Sequence, residues 1–195
     1  MMKSNAKHKN QVRIIGGTHR SRLIHFNNAD GLRPTADMVR EKLFNWLGQE
    51  LTGKTVLDLF SGSGIMAFES SSRNAKYIIA VENNKQTAEK IKQNNKLLKI
   101  DNIEIKTTNA LNFLEETPQK FDIVFIDPPY AYQEWQILWQ KLPNILKTNA
   151  EVYIESNQKI ELPHYLHEKK NGKCGISQFV LAEYKKNTET PIGVD

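Results

Sequence analysis

A single cysteine, Cys174, occurs in the 195 residues of the chain. One thiol builds neither a disulfide framework nor a cysteine-based metal site, and it suits a reducing compartment. Equally absent is any apolar run of about 20 residues, the length that spans a bilayer. The first ten residues are polar and offer no apolar signal core, so the chain is expected to be cytoplasmic rather than secreted. No internal repeat or low-complexity block is present. Acidic residues are missing from one region: the first 29 residues hold Lys3, Lys7, Lys9, Arg13, Arg20 and Arg22 but no Asp or Glu. The other 166 residues carry 21 basic and 22 acidic groups, so the whole net excess of +5 sits at the N-terminus. Such a segment can neutralise phosphates and release counterions; a solubilising tail is the plainer alternative. β-forming residues (Val12, Ile14, Ile15, Leu23, Ile24, Phe26) alternate with the charges around Gly16-Gly17. The pattern predicts a basic hairpin over about 12–26, with Arg13, Arg20 and Arg22 as candidate phosphate contacts.

The length suits one domain, able to bury roughly 70% of the surface of the unfolded chain. Gly31–Thr35 (GLRPT) reads as a loop, with Thr35 or Asp37 capping a helix that runs to about Gly48 and presents Met38, Leu43, Phe44 and Leu47 as its apolar side. Beyond Gly53, short apolar runs alternate with helical stretches. Strands are expected at Thr55–Leu59, Tyr77–Val81, Ile103–Lys106, Phe121–Ile126 and Glu151–Ile154. Helices are expected at Ile65–Ser71, Lys85–Leu98, Ala110–Leu114 and Ala131–Leu146. Two further β-like runs, around His164–Glu168 and Ser177–Tyr184, would form an antiparallel pair at one edge. Strands separated by helix-length segments imply βαβ units and an α/β, doubly wound, mainly parallel sheet. Ligands of such sheets sit beyond the C-terminal ends of the strands, so the residues there are the ones to inspect.

After the first strand comes Asp58-Leu59-Phe60-Ser61-Gly62-Ser63-Gly64. Gly62 and Gly64 allow a tight turn and close approach of a ligand, and with Ala67 the segment fits G-x-G-x-x-A. Taken alone this is a weak signal that also describes a dinucleotide loop or a structural turn. Asp58 favours one reading: a carboxylate repels a pyrophosphate but attracts a sulfonium and an ammonium, as in S-adenosylmethionine. Glu82, directly after the second strand and followed by Asn83, can accept both hydrogen bonds of a ribose diol. Asn109-Ala110, after the third strand, can meet an adenine edge or cap the next helix.

The fourth strand ends in Asp127-Pro128-Pro129-Tyr130. The two prolines fix φ and remove two backbone donors. Asp127 and the Pro128 carbonyl can accept both hydrogens of a base amine while Tyr130 stacks on the ring, worth roughly 1–3 kcal/mol. An exocyclic amine is a poor nucleophile because its lone pair is delocalised into the ring. Two accepted hydrogen bonds favour a geometry in which that lone pair points at a methyl donor. This chemistry calls for no metal; positioning can supply roughly 7–11 kcal/mol.

On these residues the chain resembles class I S-adenosylmethionine-dependent methyltransferases of the amino-methylating kind. More closely, it resembles the bacterial 16S rRNA guanine-N2 methyltransferase family. The resemblance covers about residues 12–185. It is carried by RIIGG (13–17), GLRPT (31–35), VREKLFNWL (39–47), DLFSGSG (58–64), Glu82 and DPPY (127–130), the first three being the more family-specific. It implies a seven-stranded, Rossmann-like sheet with a small N-terminal hairpin, and methylation of one guanine N2 in 16S rRNA within the small ribosomal subunit or an assembly intermediate. By position, Asp58, Phe60, Gly62, Ser63 and Gly64 would line the methionine side of the cofactor, Glu82 and Asn83 the ribose, and Asn109 and Ala110 the adenine. Arg33 and Thr35 would belong to a loop closing over it, and Asp127, Pro128, Pro129 and Tyr130 would form the catalytic motif, Asp127 also touching the cofactor. Many relatives outside this subfamily carry Asp where Asn109 stands. The implied plan is a basic arm and hairpin (1–30), a methyltransferase domain (31–186) and a tail (187–195).

Other readings stay open at this level. A DNA adenine or cytosine amino-methylase shares the DPPY chemistry but usually needs a further target-recognition domain, and about 50 residues precede the cofactor loop here. A protein glutamine amide is another possible acceptor. A nicotinamide oxidoreductase would need a His or Lys at a strand end, whereas His8, His19, His25, His164 and His167 lie elsewhere. A non-catalytic rRNA-binding module would leave DPPY and Glu82 unused.

Overall fold

The computed structural model describes residues 10–26 and 35–186. Arg33 and most of the GLRPT loop lie outside the described residues, as do the first nine residues and the tail after Lys186.

Two short strands, β1 (Gln11–Arg13) and β2 (Leu23–His25), pair antiparallel as the N-terminal hairpin. The helix α1 (Asp37–Leu47) follows. Then come β3 (Thr55–Asp58), α2 (Ile65–Ser72), β4 (Tyr77–Val81), α3 (Lys85–Leu98), β5 (Ile103–Lys106), α4 (Ala110–Glu116), β6 (Phe121–Ile126), α5 (Trp135–Lys141), β7 (Leu146–Ser156), β8 (Leu166–Cys174) and β9 (Ser177–Tyr184). The last seven strands form one sheet in the order β5-β4-β3-β6-β7-β9-β8, parallel from β5 to β7. Strand β9 inserts antiparallel between β7 and the edge strand β8. The sheet is the expected α/β, doubly wound one of seven strands. Strands such as Tyr77–Val81 are apolar at nearly every position because helices cover both faces. One face packs Phe125 and Tyr153 against the hairpin, α1, α2 and α3; the other packs Val124 and Val152 against α4 and α5.

Some sequence expectations need correction. Met38 is 64% exposed, and the buried face of α1 is instead Val39, Arg40, Leu43 and Phe44. Neither Thr35 nor Asp37 caps that helix: the N-cap is Ala36, with no side-chain cap bond. The helix expected over Ala131–Leu146 spans only Trp135–Lys141 before a 3-10 turn, Leu142–Ile145, with Pro143 in its first positions. Strand β7 starts at Leu146, five residues before the expected start. Strand β8 runs over Leu166–Cys174 rather than His164–Glu168, so its hairpin with β9 is longer than the sequence implied.

A fully buried ion cluster fixes the hairpin and α1 on α2. Glu69 accepts from both Arg40 and Arg73, all three side chains being nearly inaccessible to solvent. Glu69 Oε1 also accepts the Ile15 N–H at 2.8 Å. Arg40 donates further to the Arg13 carbonyl at 2.9 Å, the Thr35 carbonyl at 3.1 Å and the Asp37 carboxylate at 2.5 Å. The Arg73 guanidinium lies over the Phe44 ring at 4.0 Å. Gly17, at φ 75°, lies where a Cβ would sit 1.8 Å from the Ser72 carbonyl oxygen, so the hairpin loop can approach α2 only without a side chain there. Ser72 Oγ in turn accepts the His19 N–H at 2.8 Å.

Candidate active site

Three strands bring their C-terminal ends together at one end of the sheet. Strand β3 ends in Asp58, and the chain turns over Gly62 (φ 50°) and Gly64 (φ 78°) into α2. At Gly64 a Cβ would lie 3.1 Å from both Ile91 and Phe68, so both the conformation and the space demand glycine. The turn is closed by the Gly64 N–H donating to the Ser61 carbonyl at 2.7 Å, and Ser61 Oγ donates to the Asp58 carbonyl at 2.8 Å. Asp58 Oδ2 accepts the Ala67 N–H at 3.2 Å, satisfying one of the free donors in the first turn of α2. Burial raises its carboxyl to about 7, with the Glu82 charge adding to the shift and the Ala67 hydrogen bond opposing it.

Glu82, just beyond β4, braces the same turn. One carboxylate oxygen accepts the Gly62 N–H at 2.9 Å and the other the Asn84 N–H at 2.8 Å. Desolvation raises its pKa and these backbone donors oppose the rise. Each oxygen still has a lone pair to offer, and the residue is only half-buried. Asn83 is exposed beside it. Asn109 caps α4, its side-chain oxygen accepting the Asn112 N–H at 2.8 Å, which leaves its NH₂ group for another partner. Ala110 is buried behind it, Ser63 is buried within the turn, and Phe60 is half-exposed with its ring edge-on to Tyr132 at 5.2 Å.

Beyond β6, Asp127 is half-buried, Pro128 buried, and Pro129 and Tyr130 exposed. All peptide bonds here are trans. Tyr130 is 44% exposed with its hydroxyl 3.1 Å from Ser177 Oγ at the start of β9, so its ring lies outside the core. Thr35 Oγ1 donates to Asp127 Oδ2 at 3.4 Å, bringing the end of the GLRPT segment onto the DPPY motif. The Asp127 carboxyl is held well above the usual carboxylate range, first by desolvation and then by the charges of Glu155 and Asp58. Three carboxylates thus crowd one cleft, each displaced towards its neutral form. The arrangement is destabilised as it stands and is relieved by a cation.

The structure therefore brings Thr35, Asp58, Glu82 and Asp127 to one edge with the glycine turn between them. Arg13, Arg20 and Arg22 stand exposed on the hairpin. Sequence reasoning missed Glu155 and Tyr153. Glu155 directly follows Ile154, the end of the fifth expected strand, so the strand-end rule pointed to it as it did to Glu82 and Asp127.

The family model described as Conserved hypothetical protein 95 matches residues 12–183. The ribosomal RNA small subunit methyltransferase D of Buchnera aphidicola (subsp. Acyrthosiphon pisum) is 40% identical over 156 residues, covering 76% of this chain and 80% of that protein. The protein of the same name from Escherichia coli K12 is 36% identical over 169 residues, covering 84% and 83%. Among solved structures, a putative methyltransferase (yhhF) of Escherichia coli superimposes with a TM-score of 0.82 at 31% identity, over 91% of this chain and 99% of that one. With the strand-end carboxylates, the glycine turn and the DPPY motif all in place on the shared fold, the chain belongs to the ribosomal RNA small subunit methyltransferase D family.

Proposed function

We propose that the protein transfers a methyl group from S-adenosylmethionine to the exocyclic N2 amine of a guanine in the 16S rRNA of the small ribosomal subunit, or of its assembly intermediate, in the bacterial cytoplasm. The observation that carries this reading is the convergence of Asp58, Glu82 and Asp127 around the Gly62–Gly64 turn. It is an acidic cleft, suited to a cofactor that is cationic at sulfur and at its amino group. Small-subunit rRNA as the substrate rests on the named relatives, and guanine on the resemblance set out above.

When bound, S-adenosylmethionine supplies an electrophilic methyl group on a sulfonium. The residues of the chain do the rest. Glu82 offers the remaining lone pairs of its oxygens to the ribose diol. Gly62, Ser63 and Gly64 let the backbone approach the methionine side, with Phe60 and Asn83 at its margins, and Asn109 and Ala110 adjoin the adenine. Asp127 and the Pro128 carbonyl accept the two amine hydrogens, Pro129 keeps the turn rigid, and Tyr130 stacks on the base. Once methylated, the amine nitrogen would be acidic. Its proton is accepted at Asp127 and passes to water. The hairpin, with Arg13, Arg20 and Arg22, acts as an arm that contacts RNA phosphates, and Arg33 and Thr35 close over the cofactor.

The test is to incubate the purified protein and S-adenosylmethionine with small-subunit particles lacking the modification, and to map the methylated nucleoside by mass spectrometry. N2-methylguanosine at one position is expected; N6-methyladenosine, N4-methylcytidine or no product would contradict the reading.

The raised carboxyls also set a pH dependence. Below about 7 the Asp58 carboxyl holds a proton, and binding of a cation displaces it. The dissociation constant for S-adenosylmethionine should fall by up to about tenfold per pH unit for each proton displaced, levelling off above about pH 7. S-adenosylhomocysteine, which lacks the sulfonium charge, should show a shallower slope by calorimetry. Equal affinity for S-adenosylmethionine from pH 5 to 8 would contradict this. In the ligand-free protein the sign is opposite. Asp58 ionises near its ordinary value of 3.8 when unfolded and at about 7 when folded, so the stability it contributes is lost as pH rises across that window.

A further inference from the structure

The steps derived above leave one buried carboxylate without a task. Strands β6 and β7 run parallel, with Phe125 paired to Tyr153 and Ile126 to Ile154. The next step along this register sets Glu155 beside Asp127, on strands about 4.8 Å apart. Side chains alternate along a strand, so Asp127 continues the sheet face of Phe125, and Glu155 that of Tyr153, the two rings meeting edge-to-face at 6.3 Å. The two carboxyls therefore share one face at the edge where the base amine is to be held. Glu155 is only 9% exposed. Its Oε2 accepts the hydroxyl hydrogen of the buried Tyr153 at 2.8 Å, which fixes its orientation. Among the described residues no Lys, Arg or His makes an ion pair with it. A buried carboxylate of this kind needs further hydrogen-bond donors, and the group expected to enter the cleft is a nucleobase.

The three amino-bearing bases differ at the atom beside the amine. In guanine the N2 amine is flanked by the ring N1–H, a donor. In adenine the N6 amine is flanked by N1, and in cytosine the N4 amine by N3; both are acceptors. A second carboxylate next to the acceptor for the amine meets a donor only in guanine, and in the other two it faces a lone pair. We propose that Glu155, oriented by Tyr153, accepts the N1–H of the target guanine and so determines the choice of base. This rests on the amino-methyltransferase reading above and adds to it the residue that selects the base.

The probe is 2-aminopurine riboside placed at the mapped target position of the RNA. It keeps the methyl-accepting 2-amino group but carries a lone pair at N1. Wild-type enzyme should methylate guanosine over 2-aminopurine by a factor of about 10 to 100 in kcat/KM, the range for a hydrogen bond to a charged group. In Glu155→Gln the amide can donate to the N1 lone pair, so the ratio should fall towards unity. The probe also lacks the guanine O6, but that loss affects both proteins alike, and the change in ratio isolates the N1 contact. A residue that only supports the fold would lower both activities and leave the ratio unchanged. Equal use of both bases by the wild type, which needs no variant, would overturn the proposal. So would an unchanged ratio in Glu155→Gln. A wild-type enzyme inactive on guanosine-bearing RNA would instead overturn the reading on which the proposal rests, so the two failures are told apart.

Discussion

Replacing Asp127 with alanine should lower the turnover number by about 10²–10³-fold, the usual cost of removing one preorganised polar partner of the reacting group. The dissociation constant for S-adenosylmethionine should rise by less than about tenfold. In the proposed mechanism Asp127 is one of two acceptors for the amine, and without it the nitrogen would be free to rotate out of line with the methyl group. The proposed cofactor contacts at Asp58, Glu82 and the glycine turn are held by hydrogen bonds that the substitution does not touch. Removing one of three crowded carboxylates also relieves repulsion on Asp58, so the fold is not expected to suffer. Calorimetric titration with S-adenosylmethionine, run alongside single-turnover methyl transfer, separates the two effects. Undiminished turnover would remove Asp127 from the chemistry, and parallel loss of binding and turnover would assign it to the cofactor alone.

Glu69→Ala should destabilise the protein by about 3–5 kcal/mol, because it leaves Arg40 and Arg73 buried without a counter-charge. For a chain of this size that is a fall in Tm of roughly 10 °C. The loss should reach the site as well. Arg40 holds the Thr35 carbonyl, and Thr35 Oγ1 donates to Asp127, so a displaced Arg40 loosens the contact between Thr35 and the DPPY motif. The Ile15 N–H would also lose its acceptor, freeing the hairpin. Urea unfolding at pH 7 measures the effect; a loss under about 1 kcal/mol would show that the cluster is far less buried than described.

These two residues differ in how far the sequence disclosed them. Asp127 was legible because a buried apolar strand followed by two prolines marks its own end. Asp58 and Glu82 were legible for the same reason, since the rule that ligands sit at strand ends turns a one-dimensional boundary into a location. The parallel sheet followed from alternation of short apolar runs with helix-length segments, the N-terminal hairpin from two β-like runs around Gly16-Gly17, and the count of seven strands from the family resemblance. Glu69 and Arg40 were not legible. A charged residue on a helix reads as surface, and only the partner 29 residues away in sequence makes burial of Arg40 tolerable. Spacing held a hint, since Arg40 lies four residues before Phe44 and three before Leu43, on the buried face that was assigned to Met38. Glu155 stood at the end of the fifth expected strand, but its neighbour Asp127 on β6 is set by strand pairing, which no local pattern specifies. The boundary errors cluster between Ala131 and Leu146. Pro143 there stops the helix, and the start of β7 lacks alternation, with Asn149 at φ 59° interrupting its extended backbone.

The central claim is that the acidic edge between β3, β4 and β6 receives the cofactor with its sulfur towards the DPPY turn. A crystal structure with S-adenosylhomocysteine tests it most directly. Expected are the ribose hydroxyls within hydrogen-bonding distance of Glu82, the methionine portion along Gly62–Gly64, and the sulfur facing Asp127 and Glu155. A ligand bound on another face, or one whose sulfur points away from Asp127, would contradict it.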